Sequence, residues 1–434
     1  MKKIMLISLI FPLIINGQNP NTSTLNLLAI KEKTLHHNIS LTSYFTIESD
    51  DLNTNFLNTM LFGGFITDEM KNNWINQGDD NNRLNAELTN RFEYRYLRQF
   101  SNSSDQLLSY YFQFSDVNLI NSSFKDDLLK LAFHGNYDYQ EETLDFSNTV
   151  IRADRYQQYK FGYNHPIYIK ENLWQINTAL SYLNGNHHAQ LNVNEGTLYT
   201  SALGTSLDLN YDINAMMTDT SNLSVFAGNG KGVALDFSIH VNKGLNETYG
   251  IKIRDLGYIN WNENSIITNT DSSFNFMGIE VEDFNSLPEF NDSIIDISFN
   301  NNKTNFRSFI PARLTLSYIR NLDHKYFKNI LIASHSRWQP YEVKGSINWD
   351  LFNRGFAESG YVTSFDVSTN IDLTYLYSTV GFSVGGFTDE TKIHFALSDK
   401  KGIFSVGTYH LNELLLFEED RTSMSGYIKL STRF

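Results

Sequence analysis

The chain has 434 residues, with 34 Lys and Arg against 48 Asp and Glu, and a net charge of −14 that argues against nucleic acid as a partner. It contains no cysteine, which excludes disulfides, thiolate metal sites and a lipid-bearing cysteine. Mean hydropathy is negative although aromatics reach 14%, a pairing that a transmembrane barrel produces because only alternate strand residues meet lipid.

In chain order, Lys2 and Lys3 precede an apolar run from Ile4 to Ile15, and small Gly17 stands before a polar stretch. This pattern predicts a signal peptide over residues 1–17, cleaved after Gly17, with one exported domain over 18–434. No later run approaches eighteen apolar residues, so helical membrane spans are not expected.

Period-two alternation then recurs along the chain. Residues 39–47 place Ile39, Leu41, Phe45 and Ile47 on one face. In 84–96, Leu84, Ala86, Leu88, Phe92, Tyr94 and Tyr96 oppose Asn85, Glu87, Thr89, Arg91, Glu93 and Arg95. Further strands are expected over 107–117, 155–165, 173–182, 203–213, 233–241, 249–261, 314–320, 329–338, 341–349, 361–370, 371–384, 392–398, 402–410 and 424–434. Several exceed the five or six residues usual in a soluble sheet and reach the length that crosses a bilayer at a tilt. Six prolines in the whole chain suit such uninterrupted strands. The expected fold is all-β: a transmembrane antiparallel barrel of about fourteen strands, within twelve to sixteen. Aromatics near strand ends (Tyr94, Tyr96, Tyr110, Phe112, Tyr258, Trp261, Trp338, Tyr341, Trp349, Tyr375 and Tyr377) suit interfacial girdles or cross-strand pairs.

Two segments break the period, at about 50–80 and 123–135. In the first, Thr67 is placed to cap a helix with Asp68 and Glu69 in its first turn and Met70 and Trp74 on one face. In the second, Ser123 is the expected cap and Gly135 the stop. Both helices suit a plug in the lumen, a position at its mouth or a surface helix on a long loop, and the apolar content of the first (Phe56, Leu57, Leu61, Phe62, Phe65) favours burial inside the barrel. Residues 262–308, rich in Asn, Asp and Ser, read as a long loop.

No nucleophile elbow, paired-histidine zinc motif or phosphate-binding glycine loop is present, so neither an enzyme nor a cofactor site is expected. The polar strand faces carry the functional signal. Glu87, Arg91, Glu93, Arg95, Asp236, His240, Lys252, Arg254, Glu342 and Lys344 should all face the lumen and put both signs of charge there. Such a lumen reads as closed or gated. The last strand should pair with the first near 39–47, and Tyr427, Ile428, Leu430 and Phe434 resemble a barrel-assembly signal.

Five stretches carry a family resemblance: Phe62-Gly-Gly-Phe-Ile66, Lys130-Leu-Ala-Phe-His-Gly-Asn136, Gly230-Lys-Gly-Val-Ala-Leu-Asp236, Arg254-Asp-Leu-Gly-Tyr-Ile-Asn-Trp261, and either Leu287-Pro288 or Ile310-Pro-Ala-Arg-Leu314. In that order they resemble a Bacteroidetes-type family of outer-membrane barrel proteins of unknown function. They are also similar to barrels related to long-chain fatty-acid transporters and to type IX secretion components. The resemblance implies about fourteen strands and a lumenal N-terminal plug, and transfers no catalytic residue. Expected surroundings are outer-membrane lipid and the barrel-assembly machinery, with a hydrophobic ligand or an envelope protein as partner. Uptake of a small hydrophobic molecule and a docking role in an envelope assembly are the two functions these features support.

Overall fold

A computed structural model describes residues 37–434 except 51, 57–58, 60–62, 78–80, 100–106, 220–221, 223, 245, 277–299, 323–338, 352–360, 374, 389–390 and 417–420. The expected signal peptide and the strand expected over 329–338 therefore lie outside the described residues. Nineteen strands form one antiparallel sheet. The first half holds β1 (His37–Ser49), β2 (Asn82–Gln99), β3 (Leu107–Phe124), β4 (Thr143–Asp145), β5 (Thr149–Ile169), β6 (Asn172–Thr200), β7 (Leu207–Met217), β8 (Gly230–Lys243), β9 (Glu247–Trp261) and β10 (Ile266–Phe276). The second holds β11 (Asn300–Lys303), β12 (Phe306–Phe309), β13 (Ala312–Asn321), β14 (Gln339–Leu351), β15 (Tyr361–Asp372), β16 (Leu376–Gly385), β17 (Thr391–Asp399), β18 (Phe404–Thr408) and β19 (Met424–Arg433). The helices are α1 (Asp68–Gln77), α2 (Asp126–His134) and the short α3 (Leu411–Leu414).

Among the described residues a closed barrel of fourteen strands is formed, each hydrogen-bonded to the next. Closure comes from β1 and β19, paired in unbroken register from Asn38↔Arg433 to Ile47↔Met424. Closure leaves no strand edge in contact with lipid, where unpaired backbone groups would each cost several kcal/mol. Alternation then assigns the faces. Leu41, Phe161, Leu180, Leu235, Ile251, Phe365, Phe382 and Leu430 are exposed on the outer wall, while the intervening polar residues line the interior.

The two ends differ. At the end holding Asn38 and Arg433 the connections 170–171, 244–246, 373–375 and 400–403 are only two to four residues long, with Lys170 (φ 57°) and Gly402 (φ 67°) supplying left-handed geometry for the reversal, while 100–106 and 322–338 at this end are longer. The opposite end carries the long connections 50–81, 125–148, 262–311 and 409–423. Short periplasmic turns and long outer loops are the rule for these barrels, so the helix-bearing end is extracellular.

Several expectations need correction. Of the positions open to the segments at 50–80 and 123–135, their described residues take the barrel mouth and not the lumen. Leu52, Phe56, Trp74 and Leu129 pack with Ile47, Phe124, Leu84 and Ala86, residues on the outer face of β1–β3, at the extracellular rim. A charged lumen offers no apolar surface to these side chains, whereas the rim does. Thr67 does cap α1, its Oγ1 accepting the Met70 N–H at 3.2 Å. Gly135 (φ 73°) stops α2, but Ser123 belongs to β3 and the N-cap is Lys125, with no side-chain cap bond. Residues 262–308 are not one loop, since they contain β10, β11 and most of β12. Residues 371–384 are not one strand, because β15 ends at Asp372 and β16 starts at Leu376.

β6 runs 29 residues, roughly 95 Å at about 3.3 Å per residue, well beyond a hydrocarbon core about 30 Å thick. Its lower half pairs with β8 and its upper half with β7. β7 in turn pairs with β10, and β10 with β11, forming a sheet extension beyond the barrel. The alternation of 203–213 announces β7, whereas β10 and β11 lie in the Asn-, Asp- and Ser-rich stretch whose lack of a strong period hides them. Trp261 is a further correction. It is no girdle residue but points inward, 1% exposed, against Gly185 and Gly230, where a Cβ would come within 2.6 Å of its ring.

Candidate functional site: the barrel lumen

The inner wall encloses a cavity of about 300 Å3 lined by side chains from β1–β3, β5, β9 and β13–β19. Its wall is ionic. Lys160 on β5 is buried between two carboxylates, 2.5 Å from Asp236 Oδ2 on β8 and 2.9 Å from Asp255 Oδ1 on β9. Gln158 Nε2 donates to Asp255 Oδ1 at 2.7 Å, and the Asp255 backbone N–H donates to Asp236 Oδ1 at 2.8 Å. This knot depends on a local irregularity. Asp255 has φ 56°, and the β8–β9 register shifts beside it between Leu235 and Phe237. The bulge lets consecutive Arg254 and Asp255 both line the cavity, which a regular strand forbids. Gly257 closes the turn of chain, because a Cβ there would lie 2.2 Å from the Val233 carbonyl oxygen.

Charges taken out of water persist only when paired and hydrogen-bonded. Much of the rest of the lumen obeys this, although the buried Arg91 Nε has no hydrogen-bond partner. Arg313 holds Asp350 through two nitrogens, Nη2 to Oδ2 at 3.0 Å and a shorter Nε–Oδ1 contact. Asn348 bonds Asp366, and Asn370 Nδ2 donates to Glu342 Oε1 at 2.7 Å. Lys392 Nζ is 3.0 Å from Glu48 Oε2, and His394 Nε2 is hydrogen-bonded to Ser383 Oγ at 2.8 Å. Towards the extracellular end Arg152 Nε meets Asp154 Oδ2 at 2.5 Å, and His188 Nδ1 meets its Oδ1 at 2.7 Å. There Tyr156, Leu183, Ala234, Ile259, Trp261 and Ile310 form an apolar collar on the inner wall, and the Trp261 indole N–H donates to Ser308 Oγ at 2.8 Å.

Of the residues expected in the lumen, Glu87, Arg91, Arg254 and Lys344 line the cavity. Glu87 accepts a bond from Thr89. Asp236 joins the Lys160 knot instead of pairing with His240, which lies against Gly250. Lys252 shares that face, opposite Ser238 in register. Glu93 and Arg95 pair with each other at 3.0 Å, and the Arg95 guanidinium sits 4.7 Å above the Tyr111 ring, away from the cavity. Sequence reasoning missed Lys160, Gln158, Asp255 and Arg313. Each except Asp255 stands at a polar-face position of an expected strand or beside one, so the alternation could have found them, while the bulge hid Asp255. At the C-terminus Tyr427 is buried against Gly407, Ile428 and Leu430 lie on the outer face, and Phe434 is exposed with its ring 5.4 Å from that of His37.

Several solved structures of transporters and translocator domains are similar to this chain. The toluene transporter TbuX of Ralstonia pickettii is 9% identical with a TM-score of 0.42, covering 93% of this chain and 90% of its own. The P. putida toluene transporter TodX is 8% identical at 0.38, with 94% and 92% covered. The translocator domain of the autotransporter NalP from Neisseria meningitidis is 7% identical at 0.35, with 95% and 93% covered. No curated protein matches the sequence. With a closed sheet, an apolar outer wall and a polar lumen, this is an outer-membrane β-barrel. A family model matches residues 20–385, and the chain belongs to that family of unknown function, DUF5723.

Proposed function

We propose that the barrel takes up a small amphipathic molecule in its lumen, after export through a signal peptide cleaved behind Gly17 and insertion guided by Tyr427, Ile428, Leu430 and Phe434. The observation that carries this reading is the cavity of about 300 Å3, lined by side chains of both charge signs that include the pairs Arg313–Asp350 and Lys392–Glu48. A wholly apolar molecule would strip water from those charges without replacing it. A molecule with a polar head satisfies them, so the hydrophobic ligand expected from the sequence becomes an amphipathic one.

The test is mass spectrometry of small molecules released from protein purified out of native membranes, set beside the variant Ser346→Trp, which fills the cavity from β14. A molecule present with the wild type and lost with the variant supports the reading. Equal recovery from both, or none from either, overturns it. A second reading, a docking platform in an envelope assembly, is favoured by the β6–β7–β10 extension standing beyond the membrane. It would be supported by a defined cross-linked partner at Ala202→Cys, on the extension's tip, with an empty lumen.

A further inference from the structure

On the outside of the barrel, β8, β9 and β12–β13 are bounded by polar residues at both ends, and the two ends carry different charge. On β8 the outward positions between Lys231 and Lys243 are all apolar, from Val233 to Val241. The two lysines are twelve residues apart, roughly 40 Å along the strand. At a tilt of about 40° that is about 30 Å along the barrel axis, enough to reach both edges of an apolar band about 25 Å tall.

At the periplasmic end Glu247 of β9 stands directly opposite Lys243 of β8 on one side and Arg320 of β13 on the other. A carboxylate thus separates two cations. At the extracellular end Asn260 of β9 stands opposite Lys231 of β8 and Arg307 of β12. Here an uncharged amide separates two cations. Glu247 and Asn260 are thirteen residues apart, an odd number that a regular strand turns to opposite faces. The bulge at Asp255 brings both outward, so that Ile251 below it and Leu256 above it are alike exposed.

The extracellular row offers donors without an acceptor to receive them. Arg307 Nε donates to Asn260 Oδ1 at 2.8 Å, and the guanidinium lies 4.3 Å over the Tyr258 ring. Among the described residues this leaves the Asn260 Nδ2 and the Arg307 Nη amines unpaired, and the exposed Lys231 makes no hydrogen bond or ion pair. On the membrane side of the row Val233, Leu235, Leu256 and Phe309 are exposed and apolar.

We infer that Lys231, Asn260 and Arg307 bind the phosphate of a phosphorylated lipid in the outer leaflet, whose acyl chains lie against Val233, Leu235, Leu256 and Phe309. The two cations are two strand spacings apart, about 10 Å between backbones, a gap that their long side chains close around one phosphate held by charge-assisted hydrogen bonds. The phosphate supplies at this row the negative charge that Glu247 supplies at the other. Tyr258 and Asn260 hold the guanidinium in place before the lipid arrives, which reduces the ordering that binding costs. A free phosphate ion meets the same donors but gains nothing from the apolar wall below them. The site lies outside the barrel and is independent of the lumenal reading.

The probe is lipid A carrying both phosphates, titrated into the full-length protein in dodecyl maltoside micelles and counted by native mass spectrometry. Asn260→Asp puts a carboxylate between the cations and removes no apolar atom; it should weaken binding about tenfold, the loss of one charge-assisted contact. Lys231→Gln/Arg307→Gln should weaken it further. The same change at the periplasmic end, Lys243→Gln/Arg320→Gln, should leave binding within about twofold. Lipid A stripped of its phosphates should bind the wild type about tenfold more weakly, a comparison that needs no variant to fold. Inorganic phosphate should not displace the lipid. Equal binding of the stripped lipid, or equal weakening by the periplasmic pair, overturns the phosphate site. Displacement by inorganic phosphate overturns the lipid as its ligand.

Discussion

Tyr111 and Gly162 make a joint whose energetics can be worked out from both sides. Tyr111 on β3 is buried on the inner wall, directly opposite Gly162 of β5. A Cβ on Gly162 would lie 1.9 Å from the Tyr111 Cζ, and its three nearest neighbours are all atoms of that ring. Tyr111→Ala should therefore destabilise the barrel by about 3–5 kcal/mol, the range for removing a buried large aromatic. Loss of the Arg95 cation–π contact is part of that figure. Gly162→Ala in the native protein should cost about 1–3 kcal/mol, because the ring must leave its rotamer or the strands must part. In the Tyr111→Ala background the sign reverses. The space is then empty, and alanine gains about 0.5–1 kcal/mol over glycine within a strand. The measurement is urea unfolding of the four proteins folded into lipid vesicles, read by tryptophan fluorescence and gel migration, with equal m-values required for the comparison. Coupling below about 0.5 kcal/mol would refute the joint, since two residues sharing one volume cannot act independently.

Other outcomes follow from the same structure. Lys160→Met strands the Asp236 and Asp255 carboxylates and should cost about 3–5 kcal/mol; the triple variant with Asp236→Asn and Asp255→Asn should recover most of it, and no recovery would show that the charges are not what hurts. Deleting Phe434, whose backbone exchanges hydrogen bonds with His37 at 3.0 and 3.2 Å, should lower the outer-membrane level while leaving export across the inner membrane unchanged; cell fractionation decides, and a normal outer-membrane level sinks the assembly signal. Thr67→Ala removes the cap of α1 and should cost about 1 kcal/mol, with the loss seen as faster proteolysis at the extracellular rim and not as a change in lumenal binding. Detergent-extracted protein should migrate differently on a gel before and after boiling, and identical migration would count against the closed barrel.

The alternation of 84–96 was enough to place Glu87, Arg91, Glu93 and Arg95 on one face, and the same reading of 424–434 and 39–47 found the two strands that close the wall. Period two is a local property: each residue's face follows from its parity, so a membrane strand states its lipid side and its water side without help from the rest of the chain. Parity also had a warning in it for Tyr258 and Trp261, three residues apart and hence on opposite faces, so that only one of them could belong to a girdle. What parity cannot express is which polar residues meet. Lys160, Asp236 and Asp255 come from three strands, and their contact needs the β8–β9 register shift and the left-handed Asp255, both products of closing the sheet. The helices were legible as helices from Thr67 and Gly135, but their position was not. An apolar face states only that it must be covered, and the competition between a charged lumen and the apolar rim of β1–β3 was settled by the assembled barrel. The shortness of β18 belongs to the same class. Nothing in 402–410 announces a strand of only five residues, because its length is set by where the neighbouring strands leave room for it.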